Sequence, residues 1–155
     1  MKQIKTEILI DASAPNIWKI LTDFDSYPDW NPFIKLFEGK PSKGERFTVV
    51  IQPPNAKPLT FKPVCLEMTE NKKFSWKGQL FIKGLFDGEH IFELHEKNGK
   101  TTFIQRENFS GLLVPLIWKQ MNTKTIKGFE MMNRSLKERA EGFTQKTENQ
   151  NGKPA

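Results

Sequence analysis

The residues best suited to acid–base chemistry are a histidine and a glutamate that fall opposite each other in a long predicted hairpin. Residues 84–111 hold two alternating runs joined by Asn98-Gly99, and this dipeptide is the strongest short-range signal for a two-residue hairpin turn. Counting outward from that turn pairs His90 with Glu107. A carboxylate beside an imidazole fixes its tautomer and favours its protonated form, which prepares a general acid or base.

The same count places this pair on an otherwise apolar face of the hairpin. Side chains alternate along a strand with a period of two, so every second pair shares a face. The pairs on this face are Leu94 with Phe103, Phe92 with Gln105, His90 with Glu107, and Gly88 with Phe109. The opposite face is mostly polar, and we expect it to meet solvent. Polar side chains on a buried apolar face leave three interpretations open: the anchoring of a ligand head group, a structural pair, or catalysis.

The sequence pattern does not favour metal, phosphate or thiol chemistry. A metal site needs at least three converging ligands, and only His90 and Glu107 lie on the inner face. The single cysteine, Cys65, excludes an internal disulfide and a multi-thiolate site, and its predicted register turns it outward. A glycine-rich phosphate loop is missing. We therefore expect no metal and no cofactor.

Composition and charge indicate a single domain with an aromatic core. The chain of 155 residues is long enough to bury about two-thirds of its unfolded surface, and it contains 13 phenylalanines. Its net charge is +6 but the lysines are scattered, which predicts no nucleic-acid partner and only a weak bias toward anionic ligands or surfaces. Since no signal peptide is evident and no run approaches 18 apolar residues, we expect a cytoplasmic protein without an integral membrane segment.

The predicted elements before the long hairpin are a strand, short helical segments and further strands. Residues 3–10 alternate as a strand, and Ser13 is suited to cap a helix over about 14–23. Trp30 and Phe33 then fall in a loop or single turn over 29–34, where they are either anchors to the core or the rim of a pocket. Further strands are predicted at residues 34–37, 46–52, 59–69 and 73–82.

The strands at 59–69 and 73–82 form a second predicted hairpin. A three-residue loop between them keeps one face apolar, whereas a two-residue loop would pair Glu67 with Phe74. The predicted inward pairs are Met68 with Phe74, Leu66 with Trp76, and Val64 with Gly78. A slip by one residue would turn this apolar face outward.

The last predicted element is a long helix from about 115 to 143. Every third or fourth residue falls on one stripe, which consists of Trp118, Asn122, Thr125, Phe129, Met132, Leu136, Ala140 and Phe143. Gly128 in the middle of this helix indicates a bend or a close approach by backbone or ligand, or it is simply tolerated. Residues 144–155 are polar and aperiodic, so we predict a disordered tail after one domain at 1–143.

A curved antiparallel sheet with a long helix across its concave face encloses a cavity unless large side chains fill it. The inward positions mix rings with Gly78, Gly88 and Thr125, so we predict an apolar cavity with a few polar groups. The side chains expected to bind a ligand there are Trp30, Phe33, Met68, Trp76, His90, Phe92, Gln105, Glu107, Phe109, Trp118, Asn122, Thr125, Phe129 and Met132.

The element order and several local sequences resemble the START-like superfamily, also called SRPBCC, whose members share the helix-grip fold. The matching segments are IDASAPNIWKILTDFDSYPDWNPFI (10–34), FSWKGQL (74–80), GEHIFEL (88–94) and TTFIQRENFSGLL (101–113). The resemblance covers residues 3–143 and points to bacterial stand-alone SRPBCC domains of the polyketide cyclase/dehydratase-like kind. It implies an α+β fold with a seven-stranded curved antiparallel sheet, two short helices, and a long C-terminal helix that encloses a cavity.

The resemblance implies a shared pocket rather than a shared set of catalytic residues. We expect the chain to bind or carry a hydrophobic small molecule, such as a lipid, a quinone or an aromatic polyketide. One alternative is a cyclase or dehydratase, a lyase, that uses His90 and Glu107 as acid and base. Another is a protein-interaction module like the chaperone co-activators of the same superfamily. We expect binding rather than catalysis, by a monomer or a weak homodimer.

Overall fold

The structure, a computed structural model, describes residues 1–80 and 82–151. These residues form eight strands, three α-helices and one 3-10 turn at Phe24–Ser26. The strands are β1 Lys2–Ile10, β2 Ile34–Glu38, β3 Thr48–Ile51, β4 Leu59–Phe61, β5 Val64–Thr69, β6 Lys73–Leu80, β7 Phe86–Lys97 and β8 Lys100–Ser110. The α-helices are α1 Ala14–Thr22, α2 Tyr27–Trp30 and α3 Val114–Asn151.

The strands form two antiparallel sheets instead of the single seven-stranded sheet that was predicted. The larger sheet has the order β1-β8-β7-β6-β5, and the smaller has the order β2-β3-β4. The predicted strand at 59–69 is divided at Pro63, because proline lacks the N–H group that a strand ladder needs. Helix α3 packs against β1 and β8. The predicted α+β helix-grip fold is therefore confirmed, with eight strands in the described residues rather than seven.

The long hairpin of β7 and β8 has the predicted register. Asn98 and Gly99 have φ angles of 54° and 75°, the left-handed conformation that a type I′ turn requires. The pairs that follow are Leu94 with Phe103, Phe92 with Gln105, His90 with Glu107, and Gly88 with Phe109. The count from the turn is correct along the whole hairpin because no bulge interrupts it.

A β-bulge changes the register of the second hairpin. Met68 lies opposite Phe74, as predicted, but an irregularity between Cys65 and Glu67 shifts the pairs farther from the turn. Beyond the bulge the pairs are Cys65 with Trp76 and Val64 with Lys77, in place of the predicted Leu66 with Trp76 and Val64 with Gly78.

Because of the bulge, Cys65 faces the core in place of Leu66. Cys65 is buried and Leu66 is exposed, so the prediction that Cys65 points outward is wrong. Alternation cannot locate a bulge, because it assumes one residue for each position along the strand.

The buried Cys65 thiol is expected to react slowly. Burial raises the pKa of this thiol, and a higher pKa leaves less of the reactive thiolate. We expect a thiol reagent such as Ellman's reagent to modify the folded protein at least about tenfold more slowly than the denatured chain at the same pH. Equal rates in the two states would contradict the inward placement of Cys65.

Helix α3 is longer than predicted. It continues to Asn151, so residues 144–151, predicted to be disordered, are helical. The predicted tail residues 152–155 and the side chain of Phe143 lie outside the described part of the structure. Half of residues 144–151 are Gln, Lys or Glu, which favour a helix, and the next glycine and proline are Gly152 and Pro154. No helix in the described residues is long and apolar enough to cross a membrane.

The loop between α2 and β2, which carries Phe33, is fixed by one buried amide. The Oδ1 atom of Asn31 accepts hydrogen bonds from the backbone N–H groups of Phe33, at 3.0 Å, and Ile34, at 2.8 Å. Asn31 is itself buried. Since both N–H groups are far from water, Asn31 determines the direction in which the chain enters β2.

Replacing Asn31 with alanine is expected to lower the free energy of unfolding by about 1–3 kcal/mol, since it leaves two buried N–H groups without an acceptor. The matched control is Asn16→Ala at an exposed position of α1, for which we expect a change within about 0.5 kcal/mol. Urea denaturation of both variants measures the difference. Equal stability of the two variants would mean that Asn31 does not fix the loop.

Candidate functional site

A cavity of about 190 Å³ lies between the two sheets and the first part of α3. Its lining residues are Phe33, Val49, Ile51, Pro53, Leu59, Phe61, Pro63, Trp76, Gly78, Phe86, Gly88, Glu107, Phe109, Ile117, Met121 and Thr125. All of them are apolar residues or glycines except Glu107 and Thr125. Apolar walls with a few polar groups are the usual make-up of a small-molecule site.

Paired glycines in β6 and β7 keep this space open. Gly78 lies directly opposite Gly88, so neither strand places a side chain there. Elsewhere between the sheets, rings fill the interior. Phe37 stacks on Phe24 with ring centroids 3.9 Å apart, and on Phe47 at 4.6 Å. The cavity is therefore confined to the region of the two glycines.

Glu107 is the charged group of the cavity wall. Its side chain is 15% exposed. A Cβ atom at Gly88 would lie 2.7 Å from Oε1 of Glu107, so the carboxylate occupies space that the glycine leaves. Among the described residues its polar partner is His90, whose Nδ1 is 3.5 Å from Oε2. The other carboxylate oxygen is thus available to a hydrogen-bond donor in the cavity.

His90 lies behind the cavity wall rather than on it. The residue is buried, and its ring stacks on Trp76 at 4.4 Å and meets Phe129 edge to face at 5.1 Å. The predicted juxtaposition with Glu107 is confirmed. The separation of 3.5 Å exceeds the usual hydrogen-bond distance of about 2.7–3.2 Å, so the two groups do not form a direct hydrogen bond.

Gln105 extends the polar chain into the core. Its Nε2 atom lies 3.1 Å from Nε2 of His90 and 3.6 Å from the sulfur of Met132. With the amide nitrogen assigned as donor, Nε2 of His90 accepts and the imidazole proton is on Nδ1, facing Glu107. Of these three polar side chains, only Glu107 is within reach of a ligand. The described residues contain no group of three or more His, Cys, Asp or Glu that could hold a metal ion.

The predicted site residues divide into three groups. Those on the cavity wall are Phe33, Trp76, Glu107, Phe109 and Thr125. Those buried in the core outside the lining are His90, Phe92, Gln105, Phe129 and Met132. Those partly buried outside the lining are Trp30, Met68, Trp118 and Asn122. Ligand contact by any of them remains a prediction.

Much of the remaining wall comes from the smaller sheet and was not predicted. Val49 and Ile51 of β3 and Leu59 and Phe61 of β4 line the cavity. The alternation at 46–52 marked an apolar face in the sequence. Alternation does not tell which cavity such a face closes, because that depends on how the two sheets pack.

Gly128 allows α3 to approach Phe33. A Cβ atom at this position would lie 2.3 Å and 2.7 Å from two carbons of the Phe33 ring, which is closer than packed atoms can come. The ring also packs edge to face on Phe129, with centroids 5.3 Å apart. Gly128 therefore marks a close approach, but the group that approaches is a side chain and not the backbone or ligand that was predicted. Phe33 is both the anchor of its loop and part of the cavity wall.

Comparison with known protein families shows the family to which the chain belongs. A family model described as polyketide cyclase / dehydrase and lipid transport matches residues 1–141. The chain belongs to this family. All cavity-lining residues lie within the matched range. A search of curated protein sequences found no match.

Solved structures of the START superfamily have the same fold. A START superfamily protein from Mycobacterium smegmatis is 21% identical with a TM-score of 0.71, over 91% of this chain and 98% of that one. The Zhui aromatase/cyclase from Streptomyces sp. R1128 is 10% identical with a TM-score of 0.74, over 90% and 93% of the two chains. The di-domain aromatase/cyclase StfQ of the steffimycin biosynthetic pathway is 13% identical with a TM-score of 0.74; this chain matches 52% of its length. At these identities the likeness shows the fold alone.

Proposed function

We propose that the protein binds a hydrophobic small molecule in the cavity between its sheets and α3. The observation that carries this proposal is the cavity itself, about 190 Å³ of space with apolar walls and one carboxylate. Apolar surface that a ligand removes from water there contributes about 25 cal/mol per Å². The description of the matching family, which names lipid transport and polyketide chemistry, supports the same class of ligand.

Glu107 determines what the polar end of the ligand can be. Its free oxygen accepts a hydrogen bond, and Thr125 supplies a hydroxyl from α3 at the same cavity. A ligand carboxylate would be repelled by the like charge of an ionised Glu107. A hydroxyl group satisfies the carboxylate without that repulsion. Hydroxylated lipids, quinols and phenolic polyketides therefore suit the site better than fatty acids.

A second candidate function is acid–base catalysis on the bound molecule. The specific observation in its favour is that the Glu107 carboxylate reaches the cavity while the His90 imidazole lies 3.5 Å behind it. In this role Glu107 would move the proton, and Nδ1 of His90 would face its carboxylate from behind. The aromatase/cyclase names of two structural neighbours agree with such a role. An open apolar cavity does not support a protein-interaction role.

Native mass spectrometry and a thermal-shift screen of lipids, quinones and aromatic polyketides test the binding proposal. We expect a bound mass or a raised Tm with at least one class of ligand, because a ligand that binds only the folded state stabilises it. Binding at about 100 times the Kd corresponds to about 2.7 kcal/mol of added stability. No bound mass and no shift with any apolar compound would contradict the proposal.

The variant Glu107→Gln separates binding from catalysis. It keeps the size of the side chain and a hydrogen-bonding oxygen but removes the base. If the protein only binds, an apolar hydroxylated ligand should still bind with an affinity within about tenfold of the wild type. If it catalyses a dehydration or cyclisation, turnover should fall by about 100-fold or more while binding persists. Unchanged turnover in Glu107→Gln would exclude Glu107 as the base.

A further inference from the structure

Several exposed apolar side chains lie in the segments that also line the cavity. Leu59 and Ile117 line the cavity and are 44% and 39% exposed, so the cavity wall reaches the surface at these two residues. Leu112 and Leu116, at the start of α3, are each 80% exposed, and Ile82 is 69% exposed. Single exposed leucines are ordinary on a protein surface, but several in the segments that line one cavity are of the kind that marks an interaction site.

Backbone hydrogen bonds join the turn that follows Ile82 to the residues just before α3. The N–H group of Leu112 donates to the carbonyl of Gly84 at 3.1 Å, and that of Leu113 donates to Leu85 at 3.0 Å. The turn that carries Ile82 therefore lies beside the start of α3. We call the three segments 48–62, 82–86 and 111–125 together the mouth surface. It holds five of the eight large hydrophobic residues that are exposed in the described chain.

The mouth surface carries positive charge only. Its lysines are Lys57, Lys62, Lys83, Lys119 and Lys124, and all of the chain's 18 acidic residues lie outside it. Four of the five lysines are exposed, and Lys124 is partly exposed. None of them forms an ion pair with a described side chain. Uncompensated lysines around exposed leucines match the surface of an anionic bilayer, which attracts basic groups and accepts apolar ones.

We propose that the mouth surface docks reversibly on an anionic lipid membrane, with Leu112 and Leu116 entering the interface. This goes beyond ligand binding, since it assigns a second partner to the surface around the cavity. Docking in this orientation turns the exposed cavity wall at Leu59 and Ile117 toward the lipid. An apolar molecule can then pass between bilayer and cavity without crossing water, which avoids the cost of hydrating its apolar surface.

Flotation of the full chain with lipid vesicles tests the proposal. We expect binding to vesicles of phosphatidylcholine mixed with phosphatidylglycerol, weaker binding at high salt, and little binding to phosphatidylcholine alone. The double variant Lys83→Glu/Lys119→Glu should lower the partition coefficient by about tenfold or more. Its matched control is Lys40→Glu/Lys97→Glu, which makes the same change in net charge away from the mouth surface and should bind like the wild type.

The contribution of the exposed leucines to vesicle binding is tested in the same flotation assay. Leu112→Ser/Leu116→Ser should lower binding by about tenfold, whereas Leu9→Ser/Leu66→Ser, at exposed positions away from the mouth surface, should not. Thermal unfolding and binding of a neutral apolar fluorophore, N-phenyl-1-naphthylamine, show whether each variant is folded with an intact cavity. Failure to bind anionic vesicles at low salt, or equal loss in mouth and control variants, would overturn the proposal. Because vesicle binding needs no cavity ligand, its outcome is independent of the proposed ligand-binding function.

Discussion

Replacing Gly128 with alanine is expected to destabilise the protein by up to about 2 kcal/mol and to lower its Tm by up to about 5 °C. The added methyl group would lie 2.3 Å from the ring of Phe33, which is buried and packed against Phe129. Overpacking of this kind costs about 1–3 kcal/mol, and alanine returns about 1 kcal/mol through its higher helix propensity. We expect the overpacking to be the larger effect because a buried ring has little room to move.

The matched control is Gly142→Ala in the same helix. A Cβ atom at 142 meets no described atom within 4 Å, so this variant should be about 0.5–1 kcal/mol more stable than the wild type. Combining Gly128→Ala with Phe33→Leu should recover part of the loss, with a coupling of at least about 1 kcal/mol. If the two glycine variants were equally stable, the contact between α3 and Phe33 would be wrong.

Replacing Gly78 with leucine is expected to weaken the binding of an apolar ligand by at least about tenfold, or about 1.4 kcal/mol. Gly78 lines the cavity, and a Cβ atom there would make ordinary contacts of 3.8 Å with Phe61 and Pro63. The side chain would therefore extend into the open space without displacing the backbone. Titration with N-phenyl-1-naphthylamine followed by fluorescence measures the change in Kd.

Two comparisons keep this result interpretable. Gly78→Ala adds one methyl group that fits, so it should bind within about threefold of the wild type. Gly78→Leu should unfold at the wild-type temperature or above it, because it buries added apolar surface in a strand. A stable Gly78→Leu protein that binds the fluorophore with unchanged Kd would place the ligand somewhere other than this cavity.

Turn type and alternation were sufficient to predict the register of the hairpin β7–β8, but not the register of the hairpin β5–β6. The Asn98-Gly99 turn fixes the register of β7 and β8, so the meeting of His90 and Glu107 follows from counting residues. In the second hairpin the bulge beside Cys65 changes which residues face inward. Nothing in the alternation of that segment marks the bulge, since its position depends on how the strand bends over the core.

The cavity was predicted as a feature, but only part of its wall was identified. The glycines at 78 and 88 indicated missing volume, and Glu107 and Phe109 were placed on the inner face by register. The contribution of the smaller sheet depends on contacts between segments far apart in sequence, which period-two patterns do not encode. Alternation also does not encode the position of His90. This residue is buried behind Trp76, which separates it from the cavity that its strand faces.

The contact at Gly128 and the length of α3 were also predicted only in part. Gly128 in the middle of the helix left a bend, a close approach and a tolerated glycine open, and only the packed structure identifies Phe33 as the group that approaches. The polar segment after 143 lacks an apolar stripe and was predicted to be disordered. Helix propensity without a glycine or proline up to Gly152 agrees with its helical conformation to Asn151.

The most direct test of ligand binding in this cavity is a crystal structure of the protein with a neutral, hydroxyl-bearing aromatic compound such as 1-naphthol. We expect the ring to lie between Trp76, Phe109 and the start of α3, with the hydroxyl donating a hydrogen bond to Glu107. Electron density for the ligand on the outer surface only, with the cavity closed by side chains, would contradict it.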